Sequence, residues 1–563
     1  MTKFELLPNE ILLLYFQFFD AIELFNSFDG LNHRFNQLIR QVPLQLNFRY
    51  IRKSIFDQFC TRLLTDDRLK SQIYSLKLSN HRIIKEIDQF LSKFSLGQFL
   101  YLQSLELNEI NSKNVEKLKS MLPLLPNLNR LLLLNSKLNS LENIALPTLK
   151  ILSVNSLGNF REISAITHLS LQTISDIELI ENIFQYLPFL KYLRLGIIRE
   201  LNNRFGNKDF SEANNLKYFI CDVLAVNKFI ELEEIFRYTP NLTNLIISNG
   251  RIIKLNADDV QNTIESLLSL LRVFKFNFIS HHRNTLAMAK SIFEQFQTEF
   301  WHRQHQWFTE CIVSSDETHI YTIPNPTDNY NLFMCFDRFS MNYINAFDNV
   351  RSLRLDPTEM NNKYQFYFSQ IETLQLQGCG SKLQIIRNED IERLKSMINF
   401  IHLKHLIIQD SISFKNVFDS IELFQQMSSI SELTITEYLL ASFLKCSHLC
   451  KCLQGRIRIL NILKYGPCPH SIFDSKELLT KFQEVFDNLE IFTAVFGSFK
   501  YLFYLMKHFK SLSIINVFIR SKQNPENVIK QLENELTQCN TIYSLESTRL
   551  VRNIYETNVS IWF

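Results

Sequence analysis

Glycine and proline are scarce in this 563-residue chain, 11 and 13 residues respectively. Flexible linkers draw heavily on both, so a packed chain is expected. Nucleotide-binding loops need glycines where backbone approaches phosphate. The only close pair is Gly378-Cys379-Gly380. G-x-S-x-G and H-E-x-x-H are also missing. With no nucleophile, metal or phosphate constellation, the expectation is a non-enzyme without cofactor. Charge of one sign is lacking too. The formal net charge is +3, and Lys/Arg are interleaved with Asp/Glu, which reads as solvated faces rather than a nucleic-acid surface. No apolar run approaches the ~18 residues of a membrane helix, so no membrane partner is expected. MTKFELLPNE has no basic region followed by an apolar core and cleavage site.

Ten cysteines are scattered at 60, 221, 311, 335, 379, 446, 450, 452, 468 and 539. In a long chain without a secretory signal they read as reduced, buried thiols. Cys446, His448, Cys450 and Cys452, with Cys468 and His470 downstream, form the one cluster to weigh as a metal site. Zinc ligands usually stand at C-x2–4-C spacing, and alternation at every second residue does not match it. Buried thiols are the preferred reading. His302 and His305, beside Trp301 and Trp307, read as a packed aromatic edge rather than a ligand pair. The sequons Asn241-Leu242-Thr243 and Asn558-Val559-Ser560 carry no weight without secretion, and Ile561-Trp562-Phe563 is no prenylation signal. Cytosol or nucleus is the expected location.

What is present is bulk. The composition is 46% hydrophobic, with 49 phenylalanines that need burial. An apolar-x-x-apolar-x-apolar pattern recurs: Ile73/Leu76/Leu78, Leu102/Leu105/Leu107, Leu128/Leu131/Leu133, Leu149/Leu152/Val154, Ile166/Leu169/Leu171, Leu190/Leu193/Leu195, Leu216/Phe219/Cys221, Leu242/Leu245/Ile247 and Leu271/Phe274/Phe276. It resumes at Val350/Leu353/Leu355 and passes through Leu374, Leu406, Leu433, Leu460 and Phe492 to Phe509/Leu512/Ile514. The steps between middle positions run from 17 to 29 residues in the first series and from 20 to 32 in the second. Leucine-rich repeats have periods of about 20–29 residues. Alternating apolar residues make a strand with one buried face, and an intervening helix covers that core. Helical patterns at Val115–Leu122, Leu179–Leu187 and Phe229–Phe236 end near Pro123, Pro126, Pro188 and Pro240. The resemblance to leucine-rich repeats is architectural. The family's Asn/Cys ladder is mostly missing, and only Cys379 falls cleanly on it.

One interval, about 277–349, breaks the period. Leu286, Ile292, Phe293, Phe296 and Phe300 predict an amphipathic helix there. Phe308/Cys311/Val313 and Tyr330/Phe333/Cys335 read as two degenerate repeat strands, in preference to a structureless loop, which would be unusual at this length.

The first forty residues differ from the rest. After Leu7-Pro8, Ile11, Leu12, Tyr15, Phe16 and Phe19 recur at helical spacing. Asp20 is placed to cap a second helix with Ile22, Leu24, Phe25 and Phe28, and Asp29-Gly30 signals a turn. A third helix would hold Leu31, Phe35, Leu38 and Ile39. Three such short helices cannot bury all these side chains among themselves, so some surface should meet a partner. Leu7-Pro8-x-Glu10-Ile11-Leu12, followed by Phe16, Phe19, Leu24 and Arg34-Phe35, resembles an F-box. The family's Val-Cys pair and tryptophan are replaced by Leu31-Asn32 and Phe35. The resemblance implies docking on the Skp-type adaptor of a cullin-RING ubiquitin ligase. Leu7, Pro8, Glu10, Ile11, Leu12, Phe16, Phe19, Leu24, Phe28, Leu31 and Phe35 would be the adaptor-binding residues.

The chain is thus expected to be α/β: an F-box-like module at 1–45, a connecting helix at 46–70 with Ile51, Ile55, Phe59 and Leu63 on one face, and an irregular repeat solenoid at 71–563. Parallel strands would line its concave side and helices its convex side. The implied function is substrate recognition for a ubiquitin ligase, with the repeat array holding an unnamed target protein. The alternative is a repeat scaffold outside any ligase, whose first helices only cap the array.

Overall fold

The computed structural model describes residues 3–49, 51–80, 86–135, 147–173, 178–199, 212–226, 228–280, 286–314, 317–332, 335–340, 346–358, 366–378, 383–463, 472, 475–496, 500–509, 511–521, 542–551 and 554–562. Cys379, Cys468, His470 and Cys539 lie outside them. The protein is α/β, with helices and large, mostly parallel sheets. It divides into two compact units. One comprises Met1–Val223, Glu231–Leu245 and Thr263–Leu271; the other comprises Leu224–Ile230, Ile246–Asn262 and Arg272–Phe563.

The first unit opens with α1 (Asn9–Phe16), α2 (Ala21–Phe28) and α3 (His33–Ile39). Local chemistry sets their bounds. Pro8 has extended backbone and no N–H to lose, and α1 starts after it. Asp20 and Glu23 form a capping box at the start of α2, with the Glu23 N–H donating to Asp20 at 2.8 Å. Gly30, at φ +80°, makes the turn after α2. Asn32 then caps α3 by accepting from the Phe35 N–H at 2.8 Å. Leu31 therefore lies outside the third helix, contrary to expectation, because Asn32 is the better cap.

The sheet also begins earlier than expected. Across the expected boundary at residues 45/46, β1 (Leu44–Asn47) precedes α4 (Lys53–Thr65) and a further short helix, Asp67–Gln72, in place of a single connecting helix. The strands β2 (Ile73–Ser79), β3 (Ser104–Asn108), β4 (Arg130–Leu134), β5 (Ile151–Val154), β6 (His168–Leu171), β7 (Tyr192–Arg199) and β8 (Tyr218–Val226) follow in chain order across the sheet. Their register is that of the triplets. Leu76, Leu105, Leu131, Leu152, Leu169 and Leu193 are successive parallel partners. All six are buried. Strand alternation turns the same residue of each triplet to one side, so neighbouring units share a core that none could build alone. β9 (Asn244–Ile252) begins in the first unit's residues and ends in the second's.

In the second unit the interval at 277–349 is not a pair of degenerate parallel repeats. After β10 (Val273–Ser280), β11 (Thr309–Ser314), β12 (Thr318–Thr322) and β14 (Cys335–Ser340) are antiparallel, in the order β10-β12-β11-β14. Cys311 and Val313 of the expected triplet lie on β11, which runs against its neighbours, and Phe308 precedes the strand. The predicted helix is Leu286–Gln295, shorter than expected, with Phe296 and Phe300 buried beyond its end. Among the described residues of the interval only β13 (Asn329–Leu332) pairs parallel with the strands that follow, with Tyr330 opposite Leu353; Phe333 lies outside the described residues.

That pairing starts a second sheet, so the apolar triplets do not share one continuous sheet. From β13 it runs through β15 (Ser352–Leu355), β16 (Thr373–Leu376), β18 (His405–Ile408), β20 (Glu432–Thr436), β21 (Ile459–Leu463), β22 (Ile491–Phe496) and β23 (Ile514–Ser521). The short parallel pair β17 (Gln384–Ile386) and β19 (Ile412–Phe414) forms a third sheet. Leu353, Leu374, Leu406, Leu433, Leu460, Phe492 and Ile515 share one rung. The last triplet is therefore set three residues beyond Phe509/Leu512/Ile514. β24 (Ile542–Val551) and β25 (Ile554–Trp562) end the sheet antiparallel, with β25 against β23.

The antiparallel region buries an ion pair. Arg338 donates from Nε to Glu310, and their side chains are 2% and 0% exposed. Tyr321 and Ser340 donate to the same carboxylate at 2.9 and 3.0 Å, and the guanidinium lies 4.8 Å from the Phe366 ring centre. Glu310 thus accepts three charge-compensating or neutral donors, which is what keeps a buried carboxylate tolerable.

Candidate docking surface of the N-terminal helices

The interior of the helical module is aromatic. Phe16, Phe19, Phe28 and Phe35 pack ring against ring, with centroids 4.9–6.0 Å apart in the closest pairs. Phe4 joins Phe28 and Phe35. Arg34 closes the entrance. Its guanidinium donates to the carbonyls of Glu5 at 2.6 Å and Leu7 at 2.5 Å, and to Asn9 Oδ1 at 2.8 Å. These charge-assisted bonds hold the segment before α1 against α3.

The structure splits the eleven expected docking residues. Leu12, Phe16 and Leu24 have no exposure and Phe35 has 2%, so they build the module and offer no surface. Leu7, Phe19 and Phe28 are half-buried. Pro8, Glu10, Ile11 and Leu31 are exposed. Three residues outside the expected set complete the outer face: Leu14, Tyr15 and Phe18, with Phe18 87% exposed. Ile11, Leu14, Tyr15 and Phe18 stand at i, i+3, i+4 and i+7, a single stripe along α1 and the turn after it. The helix is apolar on both sides. One side closes the aromatic interior and the other is exposed, with Tyr15 at its border packing on Phe4 and Phe19 at 5.2 and 5.3 Å between ring centroids.

The inner end of the module is tied down. Arg62 of α4 pairs with Asp29 at 2.8 Å and lies 4.8 Å from the Phe25 ring centre. Gln72 donates to the carbonyls of Ile39 and Val42 at 2.9 and 3.0 Å, satisfying acceptors at the end of α3.

Of the cysteine cluster, Cys446, His448, Cys450 and Cys452 lie among the described residues. No group of three potential ligands converges among the described residues. Cys446, Cys450 and Cys452 pack against the apolar core, and Cys450 donates to the carbonyl of Leu444 at 3.5 Å. Burial raises the Cys450 thiol above its usual range. His305 stacks on Trp307 with centroids 4.1 Å apart, while His302 lies 5.4 Å from the Phe308 ring. Burial lowers the His302 pKa. No helix among the described residues is long and apolar enough to cross a membrane. No protein-family model matches the chain, and no curated protein matches it.

Proposed function

We propose that the chain is the substrate-recognition subunit of a Skp–cullin–F-box ubiquitin ligase. The F-box-like helices dock on a Skp-type adaptor, and the strand array, read as an irregular leucine-rich-repeat solenoid, holds a target protein. The chain itself performs no catalysis. The observation that carries this reading is the exposed stripe Ile11, Leu14 and Phe18, bordered by the partly packed Tyr15, on a module whose interior is already closed. Contiguous exposed apolar surface of this kind marks interaction sites. Fully burying each such side chain is worth ~1.5–3 kcal/mol before association costs, and a few anchors dominate a protein interface.

The rival reading, a repeat scaffold with a helical cap, has its own support in the Arg62–Asp29 and Gln72 contacts, which join the module to the segment leading into the sheet. A surface variant separates the two. Ile11→Asp with Phe18→Asp leaves the interior untouched, so it should abolish capture of a purified Skp-type adaptor while melting like the parent. A well-folded parent that captures no adaptor would leave the scaffold reading standing.

A further inference from the structure

The parallel strands in both units are joined at their first residues by the same device. A carbonyl at the strand entrance accepts from two successive N–H groups of the next strand, as Lys191 does from Lys217 and Tyr218. These carbonyls mark structurally equivalent positions, and the side chains there can be compared between units. In the second unit the row reads Asp328, Arg351, Glu372, Lys404, Ser431, Arg458 and Glu490. It neutralises itself: Lys404 pairs with Glu372 at 2.8 Å and Arg458 with Glu490 at 3.9 Å. In the first unit the row reads Gln103, Asn129, Lys150, Thr167, Lys191 and Lys217, with no acid. Arg130 adds a fourth cation one residue further along its strand. Arg130, Lys150 and Lys191 are exposed, and none of the four cations pairs with a carboxylate among the described residues; Lys217 donates only to the carbonyl of Asn241, at 3.2 Å. Aromatic rings stand beside them on adjacent strands. His168 stacks on Tyr192 with centroids 5.7 Å apart, and Tyr192 lies 6.3 Å from Tyr218.

We propose that this basic, ring-lined edge of the first unit binds an extended protein segment rich in aspartate and glutamate. Charge complementarity selects the occupant. Strands stand ~4.8 Å apart, so β4 to β8 spans ~19 Å, which about six residues of extended peptide cover at ~3.3 Å each. Carboxylates on such a segment meet the lysines, and its apolar side chains lie on the rings. A nucleic acid fits less well. The same face carries Glu106 and Asp222 further along the strands, already held by Arg49 and Arg194, and they confine the positive potential to one row. If the receptor reading holds, this edge gives the chemistry of the target. Only its biological role rests on that reading; the binding does not involve the adaptor.

The test is fluorescence anisotropy on the full chain with a labelled peptide of alternating glutamate and leucine. A lysine–leucine peptide and an oligothymidylate serve as comparators. The glutamate peptide should bind, with affinity falling as salt rises. Lys150→Glu with Lys191→Glu should weaken it by about tenfold or more, because both the attraction and its sign change. Lys113→Glu with Lys451→Glu, the same charge change at exposed helical sites, should not. Circular dichroism checks that each variant is folded. Failure of the parent to bind the glutamate peptide, equal binding by the row variant, or tighter binding of oligothymidylate would each overturn the proposal. Adaptor capture by these same variants stays at the parent level in every case, so failure here is distinguishable from failure of the ligase reading.

Discussion

Leu12 and Phe18 sit on the two sides of one short stretch and have opposite consequences when changed. Leu12→Ala or Phe16→Ala opens a cavity in the aromatic interior, and buried truncations of this kind cost about 2–5 kcal/mol. A lowered melting temperature is therefore expected for both. Phe18→Ala should leave melting unchanged and act only on partner capture. Spacing alone could not assign these faces, because a helix that is apolar all round has no polar side to orient it. The spacing of Ile11, Leu12, Tyr15, Phe16 and Phe19 reads as one face, but packing against Phe28 and Phe35 buries Leu12 and Phe16 and leaves Ile11 and Tyr15 on the outer side with Leu14 and Phe18. Glu86 supplies a second residue-scale prediction. It is fully buried, accepts from the Ser79 N–H at 2.8 Å, and has its pKa raised well above the ordinary 4.5, chiefly by burial. A carboxyl raised in the folded state binds a proton that the unfolded state has already lost. Its contribution is thus fully present below the unfolded value and is lost as pH rises through the folded one. Glu86→Gln should flatten the decline of melting temperature as pH rises above the ordinary carboxylate range. A parent and variant with parallel pH profiles would show that Glu86 does not titrate in this range.

At the scale of elements, the triplets of both sheets were legible because each middle leucine must enter the shared core. The parallel register of Leu105, Leu131 and Leu152 follows from that requirement alone. Strand direction was not legible in the interval. Alternation has period two whichever way a strand runs, so Cys311 and Val313 look the same on a parallel or an antiparallel strand. The entry into the second sheet was misread by three residues for a related reason: Tyr330 and Leu332, like Phe333 and Cys335, are apolar at i and i+2 or nearly so. Leu245 tests the register. It has no exposure, and Leu245→Asp would place a charge where nothing compensates it. A cooperative loss of structure, seen as a much lower melting temperature by circular dichroism, is expected. Glu310 tests the antiparallel region. Removing one partner of a buried ion pair typically costs 3–5 kcal/mol, so Glu310→Ala should destabilise strongly by leaving Arg338 uncompensated.

For the molecule as a whole, the contacts of Arg62 and Gln72 change which experiment is informative. Deleting residues 1–40 removes Asp29 and Ile39 together with the buried Leu24 and Leu38, and it exposes the side of the sheet they cover. We expect the deletion to lower melting whether or not the module also docks on an adaptor. The deletion therefore cannot choose between receptor and scaffold, and only a surface substitution can. The boundary drawn at residue 45 in the sequence conceals this, because composition changes there while packing does not. The two classes of surface also separate cleanly at this scale. The apolar stripe on α1 should respond to apolar-to-acid changes and little to salt, and the basic edge of β4 to β8 should respond to charge reversal and strongly to salt.

The antiparallel pair β11–β12 has a consequence for the order in which the chain acquires structure. Its strands are only a few residues apart in the chain, and the Ser314 N–H donates to the Glu317 carbonyl at 2.8 Å. Pairing Leu169 with Leu193, or Leu374 with Leu406, instead requires a loop to close over a whole strand-and-helix unit before any bond is gained. Hairpins form in about 1–10 μs, whereas distant parallel pairings are intrinsically slow. In pulse-labelling hydrogen exchange during refolding, the amides of Cys311 and Ile320, partners in that hairpin, should gain protection before those of Leu169 and Leu406. The segment that interrupts the repeat would then be the earliest seed of the second unit, laid down mid-chain before the parallel strands around it find their neighbours.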